Sequence, residues 1–301
     1  MTTPVTPVVD VDRARAFIRS EGRLLERRLA EVHLDHDMSA VPAVVAALAA
    51  HRNADGGLGH GLEPDVRAPG SQPLFLDFAS DVLDSLAVEA RAEVTAAAQD
   101  LLGGASSFLA GVVTPEGAVP ILLPSAAKHP RAAHWGDCDA PAGLNPTAAL
   151  VARFRAFGIE AAWIEPAAKF CWDRIEAPDG VEDAHTALCV LRFLETDPDR
   201  DRAESAHAAL CSRLDRLAFF QPRPSDDYGL TPLHFAPSPD SPRRRFFADA
   251  DVDAHLEVLA AGQQADGGWP ITWEAPGSTA EREWRGVVTL QALRVLAAYA
   301  G

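Results

Sequence analysis

The chain has 301 residues, 48% of them hydrophobic and 23% charged, with a formal net charge of -16. That apolar content suffices for a large core, while the acidic balance excludes a nucleic-acid surface, which needs clustered Lys and Arg. It also disfavours docking on an anionic membrane by charge.

Helical periodicity dominates the chain from its start. Val11, Ala14, Phe17 and Ile18 recur at i, i+3 and i+4 and continue through Leu24, Leu25, Leu29 and Val32, which predicts one amphipathic helix over 11–32. Similar patterns predict helices over 41–51, 74–90, 92–109, 147–157, 162–175, 183–196, 203–219, 251–264 and 281–300. The one candidate for β structure is a short hairpin joining Val112-Val113 to the run from Val119 to Leu123. Long proline-rich loops are expected near 111–146 and 220–248, and loops of that length inside a compact domain are functional or disordered. The longest apolar run, near 41–50, is about half the roughly 20 residues that span a bilayer. Residues 1–10 lack a basic segment leading into an apolar one, so no secretory signal is expected. Cys138, Cys171, Cys189 and Cys211 are widely spaced and form no C-x-x-C pair, which fits a reducing, cytoplasmic setting better than a disulfide framework.

The breaks between helices are themselves regular. Asp55-Gly56-Gly57, Glu116-Gly117, Asp179-Gly180, Asp227 to Gly229 and Asp266-Gly267-Gly268 each set an acid beside glycine. Glycine accepts positive φ there, and Asp accepts hydrogen bonds from nearby backbone N–H groups. Their recurrence at intervals of about 40–60 residues points to stacked helical hairpins.

The most specific of these turns is Gln263-x-x-x-Gly267-x-Trp269, preceded by Leu259. It resembles the Q-x-x-x-G-x-W repeat of terpene cyclases such as the squalene–hopene cyclases, and the glycine-rich turns of protein prenyltransferase β subunits. An earlier copy, Asn53 to Leu58, departs from that pattern, with Arg52 in the glutamine position and Leu58 in the tryptophan position. The resemblance implies an all-α fold, a single α/α toroid of five or six helical hairpins spanning residues 1–301. It gives Gln263 and Trp269 a stapling role between repeats. It also implies an enzyme acting on an isoprenoid-like or other apolar small molecule in a central cavity, without a cofactor.

Class II terpene cyclases hold their proton donor in a D-x-D-D-T motif. The similar segment here is Glu182-Asp183-Ala184-His185-Thr186, with Ala184 in the donor position. Acid–base chemistry then falls to Asp183 with His185, joined by Glu63 and Asp65 of the polar loop Gly59 to Arg67. In a toroid, His60, Gln72, Trp135, Trp284 and Arg285 would reach the same rim, where helix N-termini favour anionic or carbonyl groups. Asp77 and Glu283 belong to that rim as well, while Trp163, Trp172 and Trp273 are expected to pack the ends of the toroid. The acids of Asp249 to Asp253 read as helix caps, and Arg243-Arg244-Arg245 as either a diphosphate site or a solvated loop. Three alternatives stand beside this reading. One is zinc-dependent prenyl transfer using Asp137, Cys138 and a histidine such as His134. Another is a non-catalytic toroid holding a hydrophobic ligand or a partner protein. The last is a carbohydrate-cleaving toroid with two carboxylates.

Overall fold

The computed structural model describes residues 9–87 and 90–300. The first eight residues, most of the segment read above for a signal, lie outside them, as do residues 88–89 within the helix expected over 74–90. The described residues are helical, with isolated bridges and no strand. Their helices are α1 (Val11–Glu21), α2 (Leu24–Asp35), α3 (Val41–Ala49), α4 (Pro73–Ala87), α5 (Arg91–Gly104), α6 (Ser106–Val112) and α7 (Leu144–Ala156). Then come α8 (Ile164–Ile175), α9 (Ala184–Thr196), α10 (Arg200–Cys211), the single turn α11 (Pro232–Phe235), α12 (Asp249–Ala261) and α13 (Ser278–Ala300). None of them is long and apolar enough to cross a membrane.

Two of the expected helices are split. Gly22 leaves the helical region (φ -66°, ψ 151°) after donating its N–H to Ile18 O, so the run over 11–32 ends one helix and begins another. Arg23 then opens α2, its backbone N–H donating to the Glu26 carboxylate at 3.1 Å in a capping box. The run over 92–109 breaks at Ala105, between α5 and α6. The hairpin expected around Val119 does not form. Val119 N–H donates to Thr147 Oγ1 at 2.8 Å, and its only bridge is to Gly143. The two long loops carry structure of their own, 3₁₀ turns at Pro124–Lys128, Ala133–Trp135 and Arg244–Phe246 besides α11.

Consecutive helices pack as pairs: α2 with α3, α4 with α5, α7 with α8, and α9 with α10. One member of each pair also meets the next pair, α4 against α7 and α7 against α9, and His33 of α2 reaches Ser85 of α4 at 3.2 Å. The last helix, α13, lies against both α1 and α2. Side chains such as Phe75, Leu83, Phe154 and Phe193 are fully buried between these layers, each contributing roughly 1.5–3 kcal/mol by leaving water.

The acid–glycine turns explain the order of the pairs. Three of them share one hydrogen-bond pattern, with Asn53, Thr114 and Gln264 each donating N–H to the carbonyl four residues on and accepting from the glycine three residues on. In the first and last, Asp55 and Asp266 accept from Gly57 N–H and Gly268 N–H, both at 3.0 Å. Gly56, Gly117 and Gly267 sit at φ 82°, 96° and 95°. A Cβ on them would strike Gly104 O, Pro166 O and Arg13 O respectively, at 2.5 Å or closer. Each turn therefore seats its glycine against the backbone of another hairpin's region: the end of α5, the start of α8, and α1. Gln263 completes the last contact, exchanging two 2.8 Å bonds with the backbone of Asp10, the N-cap of α1. Trp269 is buried and donates Nε1–H to Leu259 O at 2.7 Å. Arg52, where the earlier copy lacks glutamine, makes the equivalent reach by donating to Asp100 O and Oδ2 of α5.

Candidate functional site

Seven segments far apart in the chain meet at one cluster of rings and carboxyls. Its centre is Asp65, whose Oδ1 accepts from Trp284 Nε1–H at 2.8 Å and Trp273 Nε1–H at 3.1 Å. His134 Nε2 stands 3.8 Å from its other oxygen. The two indoles meet edge to face, centroids 5.1 Å apart at 82°. Tyr228 adds a further wall at 76° to Trp273, and Phe78 of α4 another at 76° to Trp284. Tyr228 stacks on the His185 ring, and its hydroxyl lies 2.9 Å from His185 Nε2. The result is a bowl of aromatic faces with a carboxylate behind two of them. It remains open, since Tyr228 is 43% and Phe219 56% exposed.

The local sequence sets each of these positions. The loop from Gly59 to Ser71 folds back so that Arg67 N–H bonds Pro130 O and Ala132 N–H bonds Asp65 O, joining the Asp65 loop to the His134 loop. Glu63 is buried beneath, accepting Asp65 N–H at 2.9 Å. Its burial, and then the neighbouring Asp65 charge, push its carboxyl well above the usual range. Burial also raises Asp65, against the two indole hydrogen bonds. Asp183 caps α9, accepting from the backbone N–H groups of His185 and Thr186 and from the Thr186 hydroxyl at 2.6 Å. Against its burial, the His185 ring at 3.7 Å and then the Thr186 bonds hold it down at about 2. Asp183 is thus the cap of α9, with its carboxyl held low.

Along α4 from Phe78, acids meet arginines of α7 and α9. Asp81 of α4 pairs with Arg192 of α9 at 2.9 Å and Arg153 of α7 at 3.1 Å, and Arg153 also meets Asp84 at 2.9 Å. Asp77 lies one turn from Asp81 and next to Phe78, with Oδ1 buried and no hydrogen-bond partner among the described residues. Burial, and then the Asp81 charge, raise Asp77 to about 7, while Arg192 and Arg153 pull the other way. The sequence reading passed over this residue as a catalytic group. The available signal was the spacing of Asp77, Asp81 and Asp84 along one stripe of an otherwise apolar helix. His234, exposed at its surface, is lowered to about 4 by its enclosed surroundings, with His185 and His255 acting after burial.

Of the expected site residues, Glu63, Asp65, His185 and Trp284 come together in this cluster. Trp135 stacks on His134 at 4.8 Å, its Nε1 buried without a partner among the described residues. Three others make their contacts elsewhere. Gln72 is fully buried, accepting Leu123 N–H and donating to Ser125 Oγ, so it fixes the loop after α6. Arg285 turns to the last acid–glycine turn, donating to Asp266 and Trp269 O with its guanidinium over Phe17. His60 bonds Asn53 Oδ1 at 3.0 Å beside the first such turn. Trp273, expected as end packing, is instead a wall of the bowl.

The arginine run is engaged within the fold: Arg243 with Glu195, Arg244 with Asp249, and Arg245 over the Phe246 ring. Among the described residues, no three His, Cys, Asp or Glu side chains gather to hold a metal ion. The zinc-dependent alternative therefore has no ligand set there. Compared with protein-family models, curated proteins and solved structures, the chain finds no match.

Proposed function

We propose that the helical pairs close into an α/α toroid and that the protein is an acid–base enzyme acting in its hollow on a small molecule with an apolar, isoprenoid-like body. The contact of α13 with α1 and α2 supports the closure, and the resemblance of Gln263 to Trp269 to the terpene cyclase repeat supports the class. The observation that carries the reading is the buried, unpartnered Oδ1 of Asp77, one residue before Phe78, whose ring meets Trp284. Trp284, Trp273, Tyr228 and Phe78 would hold the apolar body. Asp77 Oδ1, free of any internal bond, would exchange a proton with it.

The acid strength narrows the chemistry. A carboxyl ionising near 7 matches general acid–base work at neutral pH. It suits a heteroatom of the substrate better than an isolated alkene, whose protonation demands a far stronger acid. Asp77 thus takes the donor role that Ala184 cannot fill, and the Arg192–Asp81–Arg153 bridge fixes the charge beneath it. His185 with Tyr228 would orient the substrate from the facing wall.

The test is turnover of a panel of isoprenoid alcohols, aldehydes, amines and polyenes by wild type, Asp77→Asn and Asp77→Glu. The expected result is activity that falls above pH 7 in wild type and is lost in Asp77→Asn. Turnover that Asp77→Asn leaves unchanged would remove this mechanism.

A further inference from the structure

We infer that the bowl takes an organic cation, an ammonium head group carried on an apolar body, and rejects anionic ligands such as diphosphate esters. This rests on the reading of the hollow as the ligand site and specifies the ligand's charge.

The geometry has two independent parts. The rings of Trp273 and Trp284 stand at 82° to each other and Tyr228 at 76° to Trp273, so π faces are presented from several directions. An ammonium group bounded by such faces is held by the ring quadrupoles. Both indoles also donate N–H to the same oxygen of Asp65, which places a negative charge at the ring edges and makes the opposite faces more electron-rich. A neutral ligand gains little from that charge, and an anion is repelled by it.

The second part is the balance of charge around the bowl. Its arginines are already matched: Arg23 bonds Glu26 at 2.6 Å, Arg67 pairs with Glu283, and Arg153 and Arg192 share Asp81. Asp65 has only His134 as an ion partner among the described residues, at 3.8 Å, while burial holds Glu63 and Asp77 toward the neutral acid. A diphosphate would need a free guanidinium or ammonium, and none of these arginines offers one without abandoning a carboxylate. Removing one partner of a buried pair is costly. The remaining charge at the site is therefore negative, and the ligand that completes it is positive.

The experiment is calorimetric titration of the full chain with choline, with its uncharged tert-butyl isostere, and with inorganic diphosphate. Choline and the isostere differ only in nitrogen against carbon. Choline is expected to bind about tenfold more tightly than the isostere, and diphosphate to bind more weakly than either. Asp65→Asn keeps an acceptor for both indoles and should shrink the preference for choline severalfold. Trp273→Leu should reduce binding of choline more than that of the isostere. Equal affinities for choline and isostere, or tighter binding of diphosphate, would overturn the inference while leaving the hollow as a ligand site. No heat with any of the three would overturn both.

Discussion

Replacing Asp77 by Asn should make the protein more stable, and increasingly so as pH rises. The carboxyl ionises near 7 in the fold and near 3.8 when free in the unfolded chain, raised by burial and by Asp81. The unfolded state therefore gives up its proton first, and the fold loses stability as pH climbs from 3.8 through 7. At about 1.4 kcal/mol per tenfold difference, full ionisation costs the fold about 4 kcal/mol. Asparagine has nearly the shape of the neutral acid and carries no charge to bury. The gain of Asp77→Asn over wild type should then be about 1 kcal/mol near pH 4.5 and about 4 kcal/mol near pH 8. Urea unfolding of both proteins across this range, followed by circular dichroism, measures the difference. Groups that do not face Asp77 titrate alike in the two proteins and cancel in the comparison, leaving Asp77 and the neighbours that feel its charge, chiefly Asp81. A difference that stays flat between pH 4.5 and 8 would show that Asp77 is an ordinary solvated carboxylate, and the proposed acid would be lost with it.

Three further expectations follow from the geometry. Gly267→Ala places a Cβ 2.5 Å from Arg13 O at a φ of 95° and should cost at least about 2 kcal/mol. Gly70→Ala, with nothing within 4 Å of the added carbon, should be nearly neutral in the same urea melts. Thr289→Val strips the acceptor from the buried Trp269 N–H, now 2.9 Å from Thr289 Oγ1, at a cost of about 1–3 kcal/mol in thermal unfolding. The equivalent Thr147→Val, which orphans Val119 N–H, should behave alike, and a difference beyond that range would break the equivalence of the two turns. His234, lowered to about 4, withdraws stability as pH falls from 6.5 toward 4, because the unfolded chain takes up the proton first. Its ring resonance in NMR should therefore titrate near pH 4, and a midpoint near 6.5 would refute the enclosed surroundings.

The turns were legible because their chemistry is local. Asp-Gly-Gly after a helical run states a positive φ and an acceptor for the next N–H, and both appear at Gly56 and Gly267. Gln263 and Trp269 were readable by their spacing, and Arg52 replaces glutamine in reach though not in type. The split at Gly22 was harder, because the apolar stripe continues unbroken through Leu24 and Leu25 while the backbone does not. The rim was legible only in part. Asp65 and Trp284 lie 219 residues apart in the chain, and the hydrogen bond between them depends on how the loop from Gly59 folds. Gln72 and Arg285 sit at the right ends of their helices but face the loops and turns that hold those ends in place. Position along a helix could be read from sequence; the direction of a long polar side chain could not.

The same division explains why Asp77 reads from the sequence as one rim residue among several and not as the acid. A lone carboxyl in an apolar helix has an ambiguous meaning until its neighbours are known, and here they come from α7 and α9 as Arg153 and Arg192. Those arginines pair with Asp81, so the fold has a complete ion bridge without Asp77 and gains nothing from a second acid four residues earlier. A neutral side chain at that position would leave the bridge intact and remove a charge whose burial opposes folding. Packing therefore gives no reason for an acid at position 77. Residues that work against stability where the structure offers an easy substitute are expected at functional sites, and Asp77 stands one residue from Phe78, whose ring meets Trp284.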